Sequence, residues 1–595
     1  MNQKKVFELK QGIMRATQVK DYSGALRKAE KLVKLVPEDI EAWYALSQLQ
    51  ERAGQIEAAV RSLYRVCQRP SPVHETALRK SIELCKQGAL YKLGIAPAEA
   101  MVKLKPQSSA ALFDLGLFWF HLQQFISARE FFKKAMALDP EKEIYARYCA
   151  LSYIYSGNVK EGGLIMEEFI ERFGASEETA IIRAIASNYP MGLDETEQVF
   201  AAHRAAGDFI EGELSDGQPF SDYRIPDKVR IAYLSPDFCN HSVAFFFRAL
   251  VEAHNRNRFE VICLSDVVKG DAVTEQIKST CDNWIDVSSM DNEALCELVR
   301  KQKIDVLVDL VGYAGRSRAG VFARRAAPVQ VTYLGFPNTT GLTRMDYRIT
   351  DAWSDPEGMT ESLYTESLMR LPGGFLCYTP QDDVPPVSPL PSRKNGRGIC
   401  FGSFNSFLKI SPELLSLWAG IMRQVDGSTL FMKTKPLAEK ALREQVWQQL
   451  EAEGIAKERV RLQGWTENID SHLELYNDVD IHLDTFPYNG TTTTVESLRQ
   501  GVPIVTLAGR NHRSRVGLSL LKQIGLDEWI ATSESEYVAC AVRMATDPDR
   551  LEALRESLRA RVDSSSLCDR ERFIPEIESA YENMLTERAR ELREV

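Results

Sequence analysis

Four consecutive threonines, Thr491 to Thr494, stand between the dipeptide Asn489-Gly490 and an amphipathic run that reaches Gly501. Asn-Gly is a strong turn signal and Gly501 suits a helix C-terminus, so the threonines open a short helix. The first amides of a helix have no intrahelical acceptor. Beside threonine hydroxyls they make a donor-rich mouth suited to phosphate oxygens. An internal arrangement fits the same residues: Thr493 and Glu496 have the T-x-x-E spacing of a capping box, which would satisfy the helix start without a ligand.

Three more side chains stand where chemistry is expected. Lys409 follows the run GICFGSF and precedes a Ser-Pro helix start; an ammonium there could neutralise charge on a departing diphosphate, or be a solvated surface lysine. His241, in SPDFCNHS, could be a general base, a hydrogen-bond donor to substrate, or a structural histidine. His472, on a helical stretch ahead of VDIHLDTF, could stack on a base or pack as an ordinary helix residue. The eleven cysteines include no CxxC pair and no His partner at metal-ligand spacing. Neither a metal site nor a disulfide framework is therefore expected, and the thiols read as buried groups of a reducing compartment.

The elements that position these residues show in the alternation of the second half. VRIAYLS, FEVICLSDV, IDVLVDLVGY and PVQVTYLGF, then GICFGSF, STLFMKTK, RVRLQGW, VDIHLDTF and VPIVTLAG, are β-rich runs separated by amphipathic stretches. That pattern predicts two doubly wound parallel α/β lobes, joined through VPPVSPLPSRKNGRG. Ligands of such sheets sit outside the carboxyl ends of the strands, and a cleft between the lobes would gather His241, Lys409 and the threonines. GELSDGQPFSDYRIPDK, from Gly212 to Lys228, loses periodicity and marks a boundary.

Ahead of it a repeat of ~34 residues is visible. Leu112, Leu115, Gly116, Trp119, Ala128, Phe132, Ala135 and Pro140 match a tetratricopeptide unit. A weaker copy starts at Trp43, and the stretch from His74 to Pro106 fits only with an offset, for about four or five units in all. Stacked units share one core and expose a concave face, which suits a protein or peptide partner, a scaffold or a dimer contact. A homo-oligomer stays open.

Composition bounds the function classes. The chain has 595 residues, 44% hydrophobic and 26% charged, with a formal net charge of -10. An acidic chain lacks the clustered cationic surplus of a nucleic-acid binder. No run approaches the ~18 apolar residues of a membrane span, and the start MNQKKVFELKQGIMRATQ lacks a signal-peptide core, so a cytoplasmic protein is expected.

Taken in order, SPDFCNHS, RRAAPVQVTYLGFPNTTG, DYRITD, RLPGGFLCYTP, FGSFNSFLKI and DTFPYNGTTTTVESLRQGVP resemble the family of the O-linked N-acetylglucosamine transferase and of SPINDLY, the related plant protein O-fucosyltransferase. The resemblance covers the repeats in kind and about Val229 to Asn583 in motif order. It implies superhelical tetratricopeptide repeats followed by a GT-B fold of two Rossmann-like lobes, and inverting, metal-independent transfer of a sugar to Ser or Thr of an acceptor protein, with no cofactor. The implied domains are repeats over 1–176, a helical linker over 177–228, an N-terminal lobe over 229–390 and a nucleotide-sugar lobe with its terminal helix over 391–595.

By matching position, Lys409 is implied to stabilise the leaving diphosphate, His472 to pack on the base and Glu496 to lie near the ribose. Thr491, Thr492 and Thr493 would surround the diphosphate, and His241 would stand beside the reacting centre with its role open. The N-acetylglucosaminyl enzymes carry histidine at the position of Thr491. The TTTT-x-ES pattern is similar to SPINDLY instead, which implies GDP-fucose, with UDP-N-acetylglucosamine as the alternative donor. Two rivals are a repeat adaptor that senses a nucleotide sugar without catalysis, and an epimerase or small-molecule glycosyltransferase on the same architecture.

Overall fold

The computed structural model describes residues 2–68, 71–189, 196–212, 220, 223–381, 384–466 and 469–594. Most of the boundary segment expected at 212–228 lies outside the described residues. The chain forms two compact units, Met1–Ser156 and Gly157–Val595.

In the first unit, helices pair as Asn2–Gln18 with Tyr22–Leu35, Ile40–Arg52 with Ile56–Cys67, His74–Gln87 with Tyr91–Leu104, and Ser109–His121 with Phe125–Leu138, followed by Glu143–Tyr155. The small and large repeat positions work together. Ala128, Phe132 and Ala135 are fully buried, and a Cβ on Gly116 would lie 2.7 Å from the Phe132 ring. The offset region makes an ordinary pair, and a Cβ on its Gly94 would stand 2.4 Å from Phe118 of the next pair.

The second unit holds two parallel sheets. The first contains β1 (Val229–Ser235), β2 (Phe259–Ser265), β3 (Asn283–Asp286), β4 (Val306–Asp309), β5 (Val329–Thr332), β6 (Tyr347–Asp351) and β7 (Ser367–Leu371), in the order β3-β2-β1-β4-β5-β6-β7. The second contains β8 (Cys400–Ser403), β9 (Thr429–Lys433), β10 (Val460–Gln463), β11 (Ile481–Leu483), β12 (Ile504–Leu507) and β13 (Ile530–Ala531), in the order β10-β9-β8-β11-β12-β13. Every β-rich run predicted above contains one of these strands. In both sheets the chain order reverses beside the first strand, the switch point at which such sheets bind ligands.

Helices Glu177–Ala186 and Thr196–Gly212 are core elements of the first lobe: Ala180, Ala184, Ala206 and Ile210 pack in one cluster with Leu234, Leu264 and Leu307. The segment from 177 to 212 therefore does more than link. Backbone meets backbone here, because a Cβ on Gly207 would stand 2.1 Å from the Gly341 carbonyl oxygen. Neither partner can retreat without moving a helix or a buried loop, so Gly207→Ala should destabilise the second unit by about 2–3 kcal/mol. A lowered urea midpoint of the full chain checks this, and an unchanged midpoint refutes it.

The last helix, Arg570–Glu594, leaves the second lobe and packs on the first sheet. Buried Tyr581 and Tyr233 join hydroxyl to hydroxyl at 3.2 Å, Glu578 lies 2.8 Å from Nδ1 of His254, and the Tyr347 hydroxyl donates to Glu587 at 2.7 Å. The lobes also touch directly. His512 Nδ1 lies 2.7 Å from Asp355, the Ser519 hydroxyl donates to Asp351 at 2.7 Å, and Arg515 Nε donates to the Trp353 carbonyl at 2.9 Å.

Candidate functional site

The quoted threonines follow β11 through a loop that contains a cis Phe486–Pro487 peptide. Asp484, fully buried just past the strand, organises this loop. Its Oδ1 accepts from the amides of Thr485 at 2.8 Å and Gly490 at 2.7 Å, and its Oδ2 accepts from the Thr506 hydroxyl at 2.7 Å. The carbonyl on the other side of the same peptide, Asn489 O, accepts from Lys409 Nζ at 2.8 Å. A carboxylate and an ammonium thus hold opposite ends of the Asn489–Gly490 peptide, one residue before the threonines.

Lys409 is not a surface lysine. Its ammonium sits 3.8 Å from the centre of the Tyr488 ring, against which Tyr189 stacks at 5.5 Å. Burial lowers the lysine to about 8, opposed by the charge of Asp484. Burial likewise raises Asp484 to about 6, opposed by the hydrogen bonds from Gly490 and Thr506 and by Lys409. Desolvation is the larger influence on both groups.

The helix itself runs Thr492–Arg499, with Thr491 as its N-cap and Gly501 at φ +77° beyond its end, as the stop signal predicts. The capping box does not form. No side chain caps this helix; the Thr493 hydroxyl instead donates to Asn405 Oδ1 at 2.8 Å, and Glu496 faces His472. Groups distant in sequence compete successfully for both partners. The first helical bond is Val495 N–H to the Thr491 carbonyl, so the amides ahead of it keep their donors for an outside acceptor. Gly490 leaves the room: a Cβ there would meet Thr493 Oγ1 at 2.6 Å, Thr494 Oγ1 at 2.8 Å and Asn405 Oδ1 at 2.9 Å. The Thr494 hydroxyl is buried with no hydrogen-bond partner.

One turn further along, the same helix meets a second cluster. His472 Nε2 lies 3.2 Å from Glu496 Oε2 and its Nδ1 lies 2.8 Å from Lys433 Nζ. The Tyr476 hydroxyl donates to Glu496 at 3.4 Å and to the Thr493 carbonyl at 3.3 Å, which ties the two clusters together. Phe404 and Tyr476 pack on the His472 ring, His482 packs on both of them in turn, and burial lowers His482 to about 3. Trp465 stands exposed nearby, with Lys435 5.0 Å from its ring.

Lys409, His472, Thr491, Thr492, Thr493 and Glu496 are thus gathered along one edge of the second lobe. His241 is placed apart from them. It is the N-cap of helix Ser242–Ala253 in the first lobe; its Nδ1 accepts from Val243 N–H at 3.4 Å and lies 3.5 Å from Asp237, whose carboxyl is raised by burial. Asn405, Lys433, Asp484 and Tyr488 complete the site and went unmarked in the sequence. Asp484 and Lys433 stand at or just past strand ends, the positions singled out above as ligand-facing, so the signal was there for them. Among the described residues no three His, Cys, Asp or Glu side chains gather as a metal site, and no helix is long and apolar enough to cross a membrane.

Comparison with known proteins bears on the family and the fold. A model for a tetratricopeptide repeat matches residues 17–74. A curated tomato (Solanum lycopersicum) protein named probable UDP-N-acetylglucosamine–peptide N-acetylglucosaminyltransferase SPINDLY is 40% identical over 407 residues, 68% of this chain and 43% of its own. The Arabidopsis thaliana protein of the same probable activity named SEC is 31% identical over 369 residues, 60% of this chain and 37% of its own. The chain thus spans less than half the length of these relatives. A solved variant of the Thermobaculum terrenum O-GlcNAc transferase superposes with TM-score 0.78 at 31% identity, covering 93% of this chain and 98% of that one. The model of glycosyl transferase family 41 matches residues 216–384 and 390–577, more than half of the chain and both lobes, and the chain belongs to that family.

Proposed function

We propose that the chain is an inverting protein O-glycosyltransferase that moves a sugar from a nucleotide sugar to a Ser or Thr hydroxyl of an acceptor protein. The observation that carries this reading is the part-buried Lys409 ammonium beside an uncapped helix start lined by Thr491, Thr492 and Thr493. An acceptor hydroxyl attacks the anomeric carbon from one face, giving its proton to water, while the bond to the diphosphate breaks on the other, so the electron pair departs with the leaving group. Lys409 and the helix amides meet that charge as it develops, and such preorganised donors give their largest effect in a site closed to water. Charge compensation then comes from the chain itself, with no metal required. His241 stands beside the reacting centre in this reading, and the repeats hold the acceptor. Six buried, unbridged cysteines, Cys85, Cys149, Cys263, Cys296, Cys377 and Cys540, suit the reducing cytoplasm.

For the donor we favour GDP-fucose. Thr491 and the TTTT-x-ES pattern, similar to SPINDLY, support this reading, as does an identity of 40% to tomato SPINDLY against 31% to SEC. UDP-N-acetylglucosamine is the second reading, because the names of both relatives specify it. Calorimetry of the purified chain against GDP, UDP, GDP-fucose and UDP-N-acetylglucosamine, without added metal, decides between them. Selective binding of the guanosine pair supports the first reading and preference for the uridine pair the second. Binding of none refutes a transferase that uses either donor.

A further inference from the structure

The environment of His472 is set by its two neighbours in a way that base packing alone does not require. Lys433, the last residue of β9, is buried, and its Nζ lies 2.8 Å from His472 Nδ1. An ammonium has only donors, so Nδ1 must accept. The imidazole proton then sits on Nε2, 3.2 Å from a Glu496 carboxylate oxygen that also accepts from Tyr476. We propose that Lys433 is a positioning residue for the nucleotide: it locks His472 as the neutral Nε2–H tautomer, with its ring plane fixed between β9 and the threonine helix, ready for the base.

This inference rests on the reading of His472 as the base-facing residue. Several surroundings support it. The ring is held at both nitrogens, and Phe404 and Tyr476 pack on it at 6.0 and 5.6 Å between ring centres. Lys433 also lies 5.8 Å from the exposed Trp465 ring. Burial works against the lysine charge and Glu496 works for it. An ammonium kept in such a place at the cost of desolvation needs a task, and orienting an imidazole by its second nitrogen is one that histidine sites use generally.

The test combines a spectrum and a titration. Full-length chain with 15N-labelled histidine, whose eight histidines are assigned at this position by His472→Gln, should show the Nε2–H tautomer before any nucleotide is added. Lys433→Met should lose that signature and weaken binding of GDP or UDP about tenfold, with kcat at saturating donor within about twofold, as expected when ground-state binding alone is removed. Lys433→Arg, which can also only donate, should keep the signature and most of the affinity. A wild-type Nδ1–H tautomer, or a Lys433→Met chain with unchanged spectrum and affinity, overturns the positioning role. A wild-type chain that has the signature yet binds neither GDP nor UDP overturns the nucleotide-sugar reading instead.

Discussion

Replacing Lys409 with alanine is expected to lower kcat by about 10³-fold, the upper range for removing one preorganised donor from developing charge. The fold should survive. Asp484 would keep its hydrogen bonds from Thr485, Gly490 and Thr506, and Lys409 is itself only part-buried, so its loss removes little from the core. Single-turnover transfer to an acceptor protein, run beside a thermal melt, separates the two effects, and turnover within tenfold of wild type would remove Lys409 from the chemistry. The same residue sets a pH dependence. Only the cationic lysine counters a departing diphosphate, and burial has lowered its free-enzyme value to about 8. Wild-type kcat/KM should therefore hold below that pH and fall as pH rises through it, because this parameter reports the free enzyme.

Gly490→Ala should be almost as damaging, for a steric reason. The three atoms that would meet the new methyl are the hydroxyls of Thr493 and Thr494 and the Asn405 side-chain oxygen; Thr494 is fully buried and Asn405 nearly so, which leaves them nowhere to go. The helix start must shift instead, and a displacement of about 1 Å in positioning groups costs on the order of 100-fold in kcat/KM. Nucleotide affinity should fall with it. Gly163→Ala is the natural control: a Cβ there meets nothing within 4 Å, so it should leave transfer unchanged. Equal activity in both variants would show that the helix start is not where the diphosphate sits.

The strands that carry the site were readable because each is a buried apolar run, and period and burial are properties of local sequence. Of those that escaped notice, β3 and β7 are half-exposed edge strands and β13 has two residues, while β6 is a buried interior strand whose run YRITD is mostly polar and so carries no apolar signal. The stop signal read equally well at the left-handed Gly501, whereas Asn489-Gly490 lies in the loop ahead of the helix without forming a turn. The capping box failed for a physical reason. T-x-x-E spacing reports what two residues can do for each other, whereas Asn405 and His472 reach them from elsewhere in the fold and outcompete the local pairing. Lys433 and Asp484 escaped attention since a charged residue at a strand end has no local partner to announce its role. Long-range pairing gave each one its function.

The return of the Arg570–Glu594 helix to the first sheet means that the polypeptide crosses between the lobes twice, once before β8 and once after the second sheet is complete. Two bodies tethered at a single point may swivel in any direction; two tethers leave chiefly one rotation, about the line through both crossings. Any opening of the cleft to admit donor or release product should therefore follow a single hinge coordinate, with the Tyr233–Tyr581 contact staying on the side that does not part.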